Sequence, residues 1–137
     1  MSEKVEFELV SPERLLVSEA VEMVVVPGAE GDFGVLAGHA ATVSSIRPGV
    51  LAVFENGNVA SRVFVSGGFA EITPERCTVL ADDAAPLEDL DRAEIEKSIA
   101  DLRDDVNTAR DDAEKDAAEK ALTIAEAKIA ALDSSIY

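Results

Sequence analysis

The chain has 137 residues, of which 47% are hydrophobic and 29% charged, and this composition excludes a disordered chain. Its 28 acidic and 12 basic side chains give a formal net charge of −16, and residues 83–137 alone carry 16 acidic and 7 basic side chains. A surface of that sign repels phosphate backbones and anionic lipid headgroups, which argues against nucleic-acid binding and against direct insertion into a bilayer. The expected partners are therefore proteins.

The cysteine content and the first residues indicate where in the cell the chain is expected to be located. Cys77 is the only cysteine, so no internal disulfide and no thiolate metal cluster can form, and its place in a predicted strand indicates a buried small apolar side chain. The opening residues MSEKVEFELV lack the basic segment and the apolar run of a signal peptide. No stretch approaches 18 apolar residues in a row. We expect a cytosolic chain or a peripheral part of a larger assembly.

Residues 1–86 predict an all-β domain. Apolar residues alternate with glutamates in VEFELV at 5–10, which is the period of a half-buried strand. Asn56-Gly57 lies between two Val-rich runs and predicts a hairpin, because both central residues of a type I′ turn need positive φ. Gly67-Gly68 predicts a sharp kink, and a last strand is expected at about 77–81. These features favour an antiparallel β-sandwich or flattened barrel of about ten strands.

After the β domain, residues 87–137 change to a helical period. One apolar stripe at +4, +3, +4 spacing and a second, alanine-rich stripe predict two amphipathic helices: Ile95, Ile99, Leu102, Val106, and Ala118, Leu122, Ala125, Ile129, Leu132. Asp89 or Asp91 can cap the first helix, and the polar stretch 107–112 predicts the turn. The result is an antiparallel hairpin of two helices of about 15–20 residues. Its narrow stripes bury little apolar area, so we expect a marginally stable, movable unit, tied to the β domain by residues 83–86.

Few residues are candidates for catalysis or metal binding. His39 is the only histidine and has no further imidazole or thiol at a metal-ligand spacing, so a structural or interface role is expected. Ser66 lacks the G-x-S-x-G frame of a nucleophile elbow. The glycine-rich stretch 28–34 contains Glu30 and Asp32, whose carboxylates would repel a phosphate. We therefore predict no catalytic, metal or cofactor site, and a binding or coupling role.

Several motifs occur in a fixed order along the chain. FELVSPE at 7–13 comes first, and VPGAEGDFGVLAGHA at 26–40 follows. Three further landmarks come later: Pro48-Gly49-Val50, Val65-Ser66-Gly67-Gly68-Phe69 and Val79-Leu80-Ala81-Asp82. Together they resemble the epsilon subunits of bacterial and chloroplast F-type ATP synthases (called delta in mitochondria), in particular alphaproteobacterial members. The family pattern VPG-x-EG-x-FGVLPGHA is matched with Ala37 in place of a proline.

The resemblance implies a ten-stranded β-sandwich followed by a helical hairpin, in a non-catalytic rotor subunit without a cofactor. Such a subunit couples rotation of the proton-driven c ring through gamma to ATP synthesis in the alpha/beta head. By resemblance, Glu30, Gly31, Asp32 and Phe33 face the c ring, and His39 lies near gamma. The implied location is peripheral, on the cytoplasmic face of the bacterial inner membrane.

The hairpin departs from a motif that some family members use to bind ATP, which resembles I/L-D-x-x-R-A. Leu90 and Asp91 begin the motif, but Arg92 follows directly and Glu94 occupies the arginine position. A carboxylate there would repel a triphosphate, and the acidic tail would repel an acidic segment of the beta subunit. We expect no tight ATP binding by this hairpin, and weak or no inhibition of ATP hydrolysis. In these respects the hairpin is expected to resemble that of the mitochondrial subunit.

Two other classes of function stay open at this point. A free-standing adaptor would bind a basic partner through its acidic helical hairpin, and it would not co-purify with gamma. A small hydrolase would use Ser66 and His39 and would lose its activity in a His39→Ala variant, although the spacing of these residues does not support it.

Overall fold

The computed structural model describes residues 3–133, and the chain divides into two compact units between Glu88 and Asp89. The first unit is a β domain and the second is a pair of helices. Residues 134–137, the end of the predicted second domain, lie outside the described residues.

Short strands make up most of the first unit, and a 3₁₀ turn at Leu87–Asp89 includes the boundary between the units. The strands within residues 3–133 number ten: β1 (Val5–Val10), β2 (Leu15–Val21), β3 (Met23–Gly28), β4 (Gly31–Val35), β5 (Thr42–Ile46), β6 (Gly49–Glu55), β7 (Asn58–Val65), β8 (Gly68–Ile72), β9 (Arg76–Ala81) and β10 (Ala84–Pro86).

The ten strands form one curled sheet in the order β10-β7-β6-β3-β5-β8-β9-β1-β2, and β4 pairs with β3 outside this path. β3 joins the two halves of the sheet, because Met23–Val25 pair with β6 whereas Gly28 pairs with Ile46 of β5. The inner faces share one core, in which Phe7, Leu9 and Leu51 are almost fully buried. The predicted β fold with about ten strands is confirmed.

Two details of the sequence prediction need correction. The sheet is not purely antiparallel, because β1 lies parallel to β9 with Glu6 opposite Arg76 and Val10 opposite Leu80. The chain between these strands is long enough to supply the crossover that parallel pairing requires. The predicted tether at residues 83–86 contains β10, in which Ala84 pairs with Val65 of β7. β10 is an edge strand, where Pro86 is tolerated because no further strand needs its missing N–H.

The predicted hairpin turn between β6 and β7 is present. Asn56 and Gly57 have φ values of +54° and +77°, as a type I′ turn requires. The Glu22 carboxylate accepts the N–H of Asn56 at 2.8 Å and that of Gly57 at 3.3 Å. A side chain from β2–β3 therefore fixes this turn from outside the hairpin.

The second unit consists of α1 (Arg92–Thr108) and α2 (Asp112–Asp133), so α2 is longer than predicted, at 22 residues. Of the two predicted capping residues, Asp91 is the N-cap, and its side chain accepts the N–H of Glu94. The helices are antiparallel, because Arg103 of α1 lies 3.5 Å from Glu126 of α2 while Arg92 pairs with Asp133.

The predicted apolar stripes meet between these helices. Three side chains are buried and five more pack against them: Ile95, Ile99, Ala125, and Leu90, Leu102, Leu122, Ile129, Leu132. The helical hairpin is thereby confirmed. No helix within residues 3–133 is long and apolar enough to cross a membrane.

Candidate functional site

The glycine-rich stretch forms the tight connection between β3 and β4. Gly28 pairs with Gly31 and Pro27 with Asp32, so Ala29 and Glu30 make the turn. Glu30, Gly31 and Asp32 are exposed at this tip. The tip of the connection therefore presents backbone and carboxylate groups to the surroundings, as an interface for a polar partner requires.

Phe33 differs from the other three residues predicted to face a partner at this loop. Its side chain is half-buried and packs against the core of the β domain. Its ring centroid lies 6.5 Å from that of His39, with an angle of 42° between the ring planes. The structure thus brings Phe33 and His39 together, and their contact joins the loop to the connection between β4 and β5.

His39 itself is half-buried and fixed by short-range contacts. Its Nδ1 lies 2.8 Å from the carbonyl oxygen of Ala40, and its backbone N–H donates to the carbonyl of Leu36 at 3.2 Å. The N–H of Gly38 donates to the carbonyl of Pro74, which ties this connection to the turn between β8 and β9. His39 therefore has an ordered position at the surface.

Arg47 anchors the β3–β4 loop, although the sequence did not single it out. Its guanidinium donates to the carbonyl of Gly28 and to Asp32 Oδ1, each at 2.5 Å, and its backbone N–H donates to the carbonyl of Pro27 at 2.9 Å. A groove runs between the loop and β5, lined by residues 28–33 and 42–45. Asp32 and Arg47 are 15 positions apart and follow no common period, so no sequence pattern reveals this contact.

An exposed apolar row crosses the outer face of the sheet, and it too was not predicted. Phe69 pairs with Leu80, Leu80 with Val10, and Val10 with Leu15, so these four side chains follow one another across β8, β9, β1 and β2. Phe69, Leu80 and Leu15 are 56%, 48% and 54% exposed. Paired residues on neighbouring strands share a face of the sheet, and contiguous exposed apolar side chains of this kind mark protein interaction surfaces.

The residues considered for catalysis have other contacts. Ser66 Oγ donates to the carbonyl of Asp83 at 3.4 Å, whereas His39 contacts Ala40 and Phe33. Within residues 3–133, no group of three or more His, Cys, Asp and Glu side chains is arranged to hold a metal ion. Cys77 is fully buried, as predicted, and burial raises the pKa of its thiol to about 12.

The three residues of the incomplete nucleotide motif all make contacts within the helical unit. Leu90 packs against its core, and Asp91 caps α1. Arg92 forms ion pairs with Asp133 and with Glu96, and the hydrogen bond and charge of Asp133 raise the pKa of its guanidinium. A phosphate at Arg92 would compete with two carboxylates already in place.

Comparisons with known proteins match both units. Residues 4–87 match the beta-sandwich domain of the ATP synthase Delta/Epsilon chain, and residues 91–136 match the C-terminal domain of the ATP synthase epsilon chain. The ATP synthase epsilon chain of Rhodospirillum centenum is 52% identical over 134 residues, covering 94% of this chain and 92% of that protein. That of Paramagnetospirillum magneticum is 50% identical, covering 96% and 99%.

Solved structures agree with the sequence comparisons. A chain of the Euglena gracilis mitochondrial ATP synthase, from a structure of OSCP, F1 and c-ring, is 32% identical with a TM-score of 0.82, covering 94% of this chain and 81% of that one. A chain of the Tetrahymena thermophila central stalk and c-ring, at 18% identity and a TM-score of 0.61, shares the fold. The resemblance seen in the sequence motifs is confirmed, and the chain belongs to the family of ATP synthase epsilon chains.

Proposed function

We propose that the chain is a non-catalytic rotor subunit of a proton-translocating F-type ATP synthase, in the central stalk. In this role it couples rotation of the c ring through gamma to ATP synthesis in the alpha/beta head. The observation that carries the proposal is the match of both units, residues 4–87 and 91–136, to domains of ATP synthase epsilon chains. The proposed location is peripheral, on the cytoplasmic face of the bacterial inner membrane.

The tip of the β3–β4 loop is the proposed contact with the c ring. Glu30, Gly31 and Asp32 are exposed there, and Phe33 ties the loop to the core. An ordered loop with exposed carboxylates suits a polar, partly charged surface on the partner, because complementary charge fixes the register of an interface. Phe33 supports this contact from behind the tip.

His39 and the apolar row are the proposed contacts with gamma. His39 supplies a partly exposed ring next to Phe33, and Phe69 and Leu80 supply exposed apolar area. Aromatic and aliphatic side chains of this kind form the buried centre of protein interfaces and contribute most of their binding energy. A rotor subunit needs a stable interface with gamma, because torque is transmitted only across an interface that stays bound during rotation.

Disulfide cross-linking in the assembled ATP synthase tests both contacts. A cysteine at Glu30 is expected to cross-link to a cysteine in the polar loop of the c subunit, and a cysteine at His39 to one in gamma. Glu19→Cys serves as the control, because Glu19 is exposed on β2, the last strand in the sheet order. Equal yields at Glu30, His39 and Glu19 would contradict the proposed orientation, and a failure of the chain to co-purify with gamma would favour a free-standing adaptor.

A further inference from the structure

We propose that Arg47 is a positioning residue, which holds the β3–β4 loop in one shape and sets the charge that the loop presents. The β3–β4 loop comprises the residues from Gly28 to Asp32. The inference rests on the proposed function only for the identity of the partner that the loop meets. The ordering of the loop by Arg47 is a property of the chain itself.

Three hydrogen bonds from Arg47 reach three points of the loop and its base. The backbone N–H binds the carbonyl of Pro27, Nη1 binds the carbonyl of Gly28, and Nη2 binds Asp32 Oδ1. The guanidinium group is planar, so its two hydrogen bonds point in fixed directions. The carbonyl of Gly28 and the carboxylate of Asp32 are therefore held at a set separation. A lysine ammonium is a point charge and has no such fork.

A backbone bond next to Arg47 closes the same arrangement. The N–H of Ala29 donates to the carbonyl of Ser45 at 2.8 Å, so the loop is attached to β5 as well as to the segment that follows it. β3 and β5 otherwise pair only between Gly28 and Ile46. Because so few ladder bonds hold the loop against β5, the side chain of Arg47 provides much of the attachment.

Arg47 also determines the charge of the loop. Glu30 and Asp32 are its two carboxylates, and the guanidinium offsets the charge of Asp32. Glu30 is then the carboxylate whose charge dominates at the tip. A partner with a single complementary group would therefore meet one defined negative charge rather than two.

The advantage of this arrangement is local order rather than global stability. The side chains of Arg47 and Asp32 are 42% and 28% exposed, and exposed ion pairs contribute little to the free energy of unfolding. A loop that is already ordered loses less conformational entropy when it docks, so the contact with the partner forms more readily.

Hydrogen exchange in the isolated, full-length chain tests the ordering. In an Arg47→Gln variant, we expect the Ala29 amide to exchange at least about fivefold faster, while core amides such as Val24 and Val79 keep their rates. Arg76→Gln is the matched control, because Arg76 makes a similar exposed ion pair with Glu8 on β1. Unchanged exchange at Ala29 in Arg47→Gln would overturn the proposal.

Two further variants separate charge from geometry. Asp32→Asn removes the ion pair but keeps an acceptor, so it should accelerate exchange at Ala29 less than Arg47→Gln does. Arg47→Lys keeps the charge but loses the fork, so it should restore less than about half of the lost protection. Full protection in Arg47→Lys would overturn the role of the guanidinium fork.

Cross-linking in the assembled enzyme tests the consequence for the partner. The yield from Glu30→Cys to the c subunit should fall at least about threefold when Arg47→Gln is added, and stay constant when Arg76→Gln is added. Unchanged yield in the Arg47→Gln background would overturn the positioning role at the contact. If Glu30→Cys fails to cross-link with Arg47 intact, the proposed c-ring contact is wrong, while hydrogen exchange still decides whether Arg47 orders the loop.

Discussion

Gly68 begins β8 at the point where the chain bends after β7, and its backbone leaves no room for a side chain. Its φ is +130°, and an added Cβ would lie 2.0 Å from the carbonyl oxygen of Leu80. Backbone atoms of a paired strand cannot move away from such a contact without breaking the sheet. The kink predicted from Gly67-Gly68 therefore has a steric cause on the neighbouring strand, β9.

Gly68→Ala should destabilise the β domain by about 3 kcal/mol or more, because it combines a forbidden φ with a clash against backbone. Gly57→Ala is the control, since Gly57 also has positive φ but an added Cβ would meet open space, and it should cost about 1 kcal/mol. Chemical denaturation followed by circular dichroism measures both. Equal costs in the two variants would contradict the steric argument.

Cys77 gives the β domain a pH dependence of stability at alkaline pH. Burial raises the pKa of its thiol from 9.0 to about 12 in the folded chain. Below pH 9 the thiol is protonated in both states, and the stabilisation is fully present. As pH rises from 9 towards 12 only the unfolded chain loses this proton, so the free energy of unfolding falls by about 1.4 kcal/mol per pH unit.

The contribution of the Cys77 thiol to this pH dependence can be measured by substitution. Cys77→Ala removes the thiol. The free energy of unfolding of this variant should therefore fall less steeply with pH than that of the unchanged chain, and the two slopes should differ by about 1.4 kcal/mol per pH unit. Denaturant titrations at several pH values between 8 and 11 measure both slopes. Parallel curves for the two chains would show that the thiol ionises equally in the folded and unfolded states.

At the scale of elements, each helix of the second unit begins with a capping aspartate. Asp91 accepts the N–H of Glu94 at 3.3 Å, and Asp111 accepts that of Glu114 at 2.8 Å. Both side chains satisfy an amide that has no partner within its helix and place negative charge at the helix N-terminus. Within the described residues three side chains are buried between the helices, Ile95, Ile99 and Ala125, so we expect the caps to add measurably to the stability of the hairpin.

Asp91→Ala and Asp111→Ala should each destabilise the hairpin by about 1 kcal/mol and lower its melting temperature. Asp105→Ala is the control, because Asp105 lies near the C-terminal end of α1, where a carboxylate opposes the helix dipole. We expect no loss of stability there. Helical circular dichroism during thermal unfolding measures all three, and equal losses in all three variants would contradict the assignment of the caps.

The apolar row across β8, β9, β1 and β2 is the proposed contact of the sheet with gamma. Phe69→Ser and Leu80→Ser should each weaken binding to gamma at least about tenfold, because both side chains would be buried in the proposed interface. Both are about half exposed in the free chain, so its unfolding midpoint should change little. Surface plasmon resonance against a gamma-containing stalk measures the affinity. Unchanged affinity in both variants would exclude the row from the interface.

At the scale of the whole molecule, the charge of the helical unit bears on the regulation of ATP hydrolysis. Its net charge is strongly negative, and Arg92, the basic residue of the incomplete nucleotide motif, already pairs with Asp133 and Glu96. Docking on an acidic surface would bring like charges together, and a triphosphate would meet carboxylates. We therefore predict weak or no inhibition of ATP hydrolysis by the helical unit, and no tight ATP binding.

Removal of residues 88–137 should change the ATPase rate of the reconstituted enzyme less than about twofold, because like-charge repulsion would oppose an inhibitory contact. The measurement adds the full-length or the truncated chain to enzyme that lacks this subunit. Titration of the full-length chain with ATP should give a dissociation constant weaker than about 1 mM. Several-fold activation on truncation, or micromolar ATP binding, would contradict the charge argument.

Much of the fold follows from local signals in the sequence. The alternation in VEFELV, the Asn56-Gly57 turn and the two helical stripes depend on residues within one element or one turn, where side-chain period and backbone preference act directly. The family motifs are also continuous stretches. The β domain, the helical hairpin and the membership of the family could therefore be predicted from the sequence alone.

The remaining features depend on residues that are distant in sequence. The parallel pairing of β1 with β9, the small edge strand β10 and the apolar row arise from the order of the strands in the sheet, which no local period specifies. The bonds from Arg47 to Gly28 and Asp32 span 19 and 15 positions. Such contacts form only when the curled sheet brings their elements together, and for that reason the tertiary structure alone decided them.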